Sequence, residues 1–237
     1  MPTSRRSRLS ATDRKQAILS AAAPIFARLG RDGATTKEIA RAAGVSEALL
    51  YRHFTSKDVL YAALETHCVE ANAVGSRILA EVTPSTETLV MGVAILVHAV
   101  FPGIGDAQSH EDTKRLVTAS LLGDGQFAKA FLDQHVKPWI SVFSQSFRAA
   151  QDAGDVESGI HIGHAEIWFV HHLANTLHLV SLPDITVVEY GITRDKLVEN
   201  TVRFLLRGLG LQNAVIDRHY DPKKLKMIII SMDQKTS

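Results

Sequence analysis

The stretch from Thr35 to Lys57, TTKEIARAAGVSEALLYRHFTSK, leaves the chain little choice of fold around it. It reads as two short helices joined by a tight turn. The first runs from Thr36 to Ala43, with Ile39, Ala40 and Ala43 on one buried face. Gly44 stands where the chain must reverse, in a left-handed conformation that glycine adopts without steric cost. Val45 plugs the turn, and Ser46 has the chemistry to cap a second helix from Glu47 to Phe54. Leu50 and Phe54 face inward, four residues apart. Glu47, Ala48, Leu49, Arg52 and His53 are left facing outward. This is a helix-turn-helix, and its second helix has the length and exposed face to enter a DNA major groove.

The extended stretch TTKEIARAAGVSEALLYRHFTSKDVL resembles the DNA-binding signature of TetR-family transcriptional regulators. The matching elements are Thr35-Thr36, Ile39-Ala40, Ala43-Gly44-Val45-Ser46, Leu50-Tyr51, His53-Phe54 and Ser56-Lys57. A preceding helix, Arg14 to Gly30, fits as well, with Ala17, Ile18, Ala21 and Phe26 on one side. The resemblance covers residues 10 to 65. It departs just before Leu50-Tyr51, where the family commonly has a small residue and Thr and this chain has Ala48 and Leu49.

Charge is distributed in keeping with that placement. Residues 1–60 hold 11 Lys and Arg against 5 Asp and Glu, and the remainder holds 15 against 20. A basic N-terminal module on an acidic body places a polyanion partner at the N-terminal end. Residues 1–9, with Arg5, Arg6 and Arg8, read as a basic arm, either solvated or reaching a phosphate or the minor groove. The single cysteine, Cys68, excludes an intramolecular disulfide and fits a reducing cytoplasm. No apolar signal segment opens the sequence. The longest apolar run, Leu89 to Phe101, falls short of the roughly 20 residues needed to span a bilayer, so no membrane role is expected.

Within the module, the resemblance implies DNA phosphate contacts from Thr36, Tyr51, His53 and Lys57. Tyr51 could instead pack on the first helix, and Lys57 could simply be solvated. Exposure and resemblance assign base contacts to Lys37, Glu47, Ala48, Leu49 and Arg52. Arg52 suits guanine, Glu47 a cytosine amino group and Leu49 a thymine methyl. Glu47 could equally stabilise the first turn of its own helix.

The rest of the chain is expected to be helical throughout, giving an all-α protein. The expected domains are 1–57 for the helix-turn-helix, 58–212 for effector binding and dimerisation, and a tail of open structure at 213–237. A fourth helix should run from Lys57 to about Glu81, followed by Glu87–Phe101 and Glu111–Leu122. Gln126–Ala153 should kink or split near Lys137, because Pro138 removes a hydrogen bond and clashes with the preceding turn. Ile162–Ser181 and Thr193–Leu209 complete the set. No phosphate-binding glycine loop, nucleophile elbow or Cys-x-x-Cys pair is present, so no enzyme activity is expected.

In TetR-like proteins this region holds a small ligand and forms the dimer. Met91, His98, Phe101, Phe127, Trp139, Phe143 and Phe147 could line such a pocket, or form plain core. The last two long helices are apolar beyond one stripe, which calls for a second partner. Ile167, Trp168, His171, His178, Val198, Val202 and Leu205 are the expected dimer contacts. His164, His171 and His178 recur every seven residues, so neighbours rise about 10.5 Å along the axis and cannot share one ion. A packing stripe is expected, with no metal and no cofactor. Together these expectations describe a cytoplasmic homodimeric regulator, most simply a repressor. A small apolar or aromatic molecule would release it from an inverted-repeat operator in duplex DNA. The alternatives are a DNA-binding regulator without effector, or a small-molecule or metal-binding enzyme that carries a helix-turn-helix.

Overall fold

The structure is a computed structural model. It describes residues 10–71, 82–100, 107–183, 185–223, 225 and 227, with side chains at all of these except 69–71, 99–100 and 107–110. The basic arm, the expected end of the fourth helix (72–81), Phe101 and the apolar stretch 228–232 lie outside the described residues.

The described regular structure is α-helical. The helices are α1 (Ala11–Gly33), α2 (Thr36–Ala42), α3 (Glu47–His53), α4 (Lys57–Ala71), α5 (Thr86–Val100), α6 (Ala107–Leu121), α7 (Gln126–Phe131), α8 (Lys137–Asp152), α9 (His164–Leu179), α10 (Arg194–Gly208) and α11 (Asn213–His219). An isolated antiparallel bridge joins Val156 to Leu211. No helix among the described residues is long and apolar enough to cross a membrane.

α1 starts three residues earlier than the apolar pattern suggested. Ser10 caps it and Asp13 closes the capping box: Asp13 N donates to Ser10 Oγ at 3.0 Å and Ser10 N to Asp13 Oδ2 at 3.3 Å. Its buried face is Ile18, Leu19, Ala22, Ile25 and Phe26, with Ala17 exposed. The expected face was therefore rotated by part of a turn. The break expected near Lys137 is present as a change of helix type. The single-turn π segment Leu132–Val136 separates α7 from α8, and Pro138 then occupies the first turn of α8. There its missing N–H costs nothing, because a first-turn N–H has no partner within the helix.

The chain packs as two compact units. The first comprises 1–74 with 108–135, and the second 75–107 with 136–237. The first core joins Ile18, Phe26, Ile39, Leu50, Phe54, Leu60 and Leu64 with Leu116 of α6 and Phe127 of α7. Helices from far along the chain therefore complete the N-terminal unit, which extends beyond residue 57. The second core joins α5, α8, α9 and α10. At its centre Gly92 lies against Phe143, and an added Cβ would overlap Phe143 Cε1. The described part of the tail is packed: α11 and the turn after it bury Val215, Ile216, Tyr220 and Leu225 in this core. Arg203 Nη1 fastens α11 through Asp217 Oδ1 at 2.6 Å.

Candidate nucleic-acid interface

Each element of the helix-turn-helix is held by its own local chemistry. Thr35 caps α2, accepting from Glu38 N at 3.2 Å, and Ser46 caps α3, accepting from Leu49 N at 3.2 Å. Between them Gly44 takes φ 64°. Val45 N donates to Ala40 O at 2.9 Å and Gly44 N to Arg41 O at 3.2 Å, the paired bonds of a Schellman turn. Leu50 and Phe54 are buried, so α3 turns its remaining face to solvent. Ser56 caps α4, accepting from Val59 N at 3.2 Å.

On that face Ala48 and Arg52 are exposed and Leu49 and His53 half-buried, and Lys37 is exposed on α2. Tyr51 is 44% exposed, so it does not pack away against α1. Several assigned contacts have internal work as well. Thr36 Oγ1 donates to Glu47 Oε1 at 2.5 Å and lies 3.3 Å from Tyr51 Oη. Glu47 thus bridges α3 to the start of α2, and the Thr36 hydroxyl proton is already engaged. Lys57 is not a free point charge. Its Nζ donates to Asp32 O at 3.3 Å and Ala34 O at 3.2 Å, which binds the end of α1 to the start of α4. One ammonium proton remains for an outside acceptor.

Sequence reasoning passed over Arg31. Its Nη2 and Nε donate to Asp58 Oδ1 at 2.7 and 3.1 Å, adding a second tie between α1 and α4. The hydrogen bond to Asp58, then its charge, raises the Arg31 pKa. The two residues are 27 apart, so no local spacing announces the pair. Because Arg52 is exposed beside Ala48 on the open face, Arg52→Ala is expected to relax base preference at one position per half-site by about 1–3 kcal/mol. Selection from random duplexes checks this, and an unaltered preference profile would remove Arg52 from the reading set.

In the second unit the expected pocket set does not come together. Phe127 lies in the first unit's core, and Phe101 is outside the described residues. Phe143 is buried against Gly92, Phe147 is buried but borders a separate polar-edged recess of about 600 Å³ with Ser144, Arg148 and His164, and His98 Nδ1 lies 2.8 Å from Ala94 O on its own helix. Met91, His98 and Trp139 are half-buried. A recess of about 980 Å³ lies elsewhere, lined by Leu177, Val180, Ile185, Val188, Tyr190 and Leu197 among others. The sequence signal for it is the Ile-, Val- and Tyr-rich stretch Ile185 to Ile192 between two helices.

The expected dimer contacts are corrected in the same way. Ile167, His178, Val198, Val202 and Leu205 are buried inside this chain's own core and leave little surface for a partner. α9 and α10 do carry apolar surplus, but at other positions. Phe169 is 58% exposed, Phe204 63% and Leu179 44%. The seven-residue histidines are not equally available to a partner: His164 is exposed, His171 half-buried and His178 buried. Two heptads drift only about 40° around a straight helix, so burial changes along α9 rather than around it. Burial, then the charge of His172, lowers the pKa of His171 to about 4.

A capped scaffold helix, a Schellman turn and a second helix whose open face carries Tyr51 and Arg52 make up a helix-turn-helix of the DNA-binding kind. Residues 18–64 match the family described as bacterial regulatory proteins, tetR family. The N-terminal helix-turn-helix is thus a DNA-binding domain of the tetR family. Solved structures share the fold. One is a transcriptional regulator from Saccharomonospora viridis in complex with choline, 18% identical, with TM-score 0.60 over 83% of this chain and 95% of that one. Another is a TetR-family regulator from Rhodococcus sp., 20% identical, with TM-score 0.56 over 86% and 99%. A third is a transcriptional regulator from Streptomyces coelicolor, 20% identical, with TM-score 0.54 over 82% and 97%. No curated protein sequence matches the chain.

Proposed function

We propose that this regulator is a homodimeric repressor that a small molecule releases from an inverted-repeat operator. The observation that carries the dimer is the pair of aromatic side chains, Phe169 and Phe204, left in solvent on α9 and α10. A two-fold axis placed against these helices would cover each with its own copies. Two α3 helices would then face successive major grooves, with half-sites about 10 base pairs or more apart. Thr36, Tyr51, His53 and Lys57 are assigned to phosphates. Lys37, Ala48, Leu49 and Arg52 are assigned to bases, and Glu47 is assigned to bases only after it leaves Thr36.

The effector is assigned to the recess beside α9 and α10 rather than to the aromatic set around Phe143. Its apolar wall, with Glu189 and Arg194 at the edge, suits an apolar molecule that carries one polar group. The choline complex of the Saccharomonospora viridis protein supports the capacity of this fold to take a small organic molecule. Linkage supplies the mechanism. A ligand that binds better when the reading heads are misplaced lowers operator affinity by the same free energy. The filled core at Gly92 and Phe143 favours a second reading, a regulator without effector.

One experiment separates the two readings. Once an operator fragment has been selected, a library of apolar and aromatic compounds is screened for its release. Release by a compound whose effect is lost in Leu177→Trp, with operator binding intact, supports the recess. Failure of every compound to release the fragment or raise the melting temperature supports the effector-free reading.

A further inference from the structure

We infer that His171 and His172 form half of a binding site for a divalent late transition ion, completed by the same pair from a second copy of the chain. The inference rests on the homodimer proposed above. His171 Nδ1 and His172 Nδ1 face each other at 3.5 Å. A zinc–imidazole bond is about 2.0–2.1 Å, so two ligands of a tetrahedral ion stand about 3.4 Å apart. The two nitrogens therefore already span one edge of such a tetrahedron.

The geometry is held from behind. The Trp168 indole stacks on His172, with centroids 5.7 Å apart and 23° between planes, and meets His171 edge-on at 5.8 Å and 90°. Trp168 Nε1 donates to His164 Nε2 at 3.0 Å, which pins the indole in turn. One ring thus fixes both imidazoles, the role that outer partners take around metal ligands. Within one chain the set stops at two. Among the described residues, no group of three or more His, Cys, Asp or Glu is placed to hold a metal. Two imidazoles cannot close a tetrahedron, but a two-fold axis doubles them to four.

Their position suits that axis. His171 and His172 sit at the midpoint of α9 (His164–Leu179), and His172 is exposed three residues after Phe169. Residues near a two-fold axis meet their own copies. An all-imidazole set selects zinc, copper or nickel over magnesium or calcium, which take oxygen ligands. An ion bound only by the dimer tightens the dimer by mass action.

The test uses the full chain, stripped with chelator, freed of it and titrated with Zn²⁺ by calorimetry. Sedimentation is run alongside at concentrations near the dimer dissociation constant. Half an equivalent of zinc per chain is expected. Binding should be lost in His171→Ala and in His172→Ala, retained in His161→Ala, and absent with Mg²⁺. At free zinc a hundredfold above its dissociation constant, dimer dissociation should weaken about a hundredfold. One ion per chain, binding that survives both substitutions, or a dimer unaffected by zinc overturns the site. A zinc-free dimer that ignores zinc rejects the metal site alone. A chain that is monomeric with and without zinc rejects the site together with the dimer on which it rests.

Discussion

Replacing Phe169 and Phe204 together with Asp is expected to leave a folded monomer that has lost specific operator binding. Both side chains are largely in solvent within one chain, so their removal takes little from its core. Four carboxylates would then face one another across the proposed two-fold axis, where like charges at close range are strongly unfavourable. A single reading head forgoes the effective concentration that the second supplies, so operator affinity should fall by about 10²–10⁴-fold. Circular dichroism should match the native protein, and sedimentation at micromolar concentration should give a monomer. A variant that stays dimeric with native operator affinity would move the interface to other helices.

The second large effect is expected at Phe54. The ring is buried just past the end of α3, one turn beyond Leu50, with Lys15 Nζ 5.6 Å from its centroid. It anchors the reading helix to α1 and α4. Phe54→Ala deletes a fully packed aromatic from a small core and should cost about 3–5 kcal/mol. α3 is only seven residues long, too short to persist without that anchor. DNA binding should therefore fall with stability, followed by urea unfolding and operator titration. A loss below about 1 kcal/mol with unchanged DNA binding would contradict this packing.

The helix-turn-helix was legible in the sequence because its determinants are local. Thr35, Ser46 and Ser56 cap within three residues, and Gly44 marks a turn that other residues enter at a steric cost. Leu50 and Phe54 set the buried face by their spacing. The second unit was less legible for a physical reason. α9 is apolar nearly all round, so periodicity shows that it needs partners on two sides without saying which side faces which. Ile167 and Val198 went to the chain's own core, whereas Phe169 and Phe204 went to solvent. Phe127 and Phe143 illustrate the same limit. Both are phenylalanines at helical spacing, yet they fill different cores, and that is decided by pairings across long stretches of chain. The tie of Lys57 to Asp32 O and Ala34 O was likewise invisible, since backbone carbonyls leave no trace in side-chain pattern.

The central claim is that two copies of the chain read DNA through paired α3 helices. Selection of bound sequences from random duplex DNA, by the full chain at physiological salt, tests it most directly. The expected result is an inverted repeat with half-sites about 10 base pairs or more apart, whose preference at one position per half-site relaxes in Arg52→Ala. Affinity for the selected site should also fall steeply with salt, as phosphate neutralisation requires. Enrichment of a single unpaired half-site, or no enrichment at all, would contradict the account.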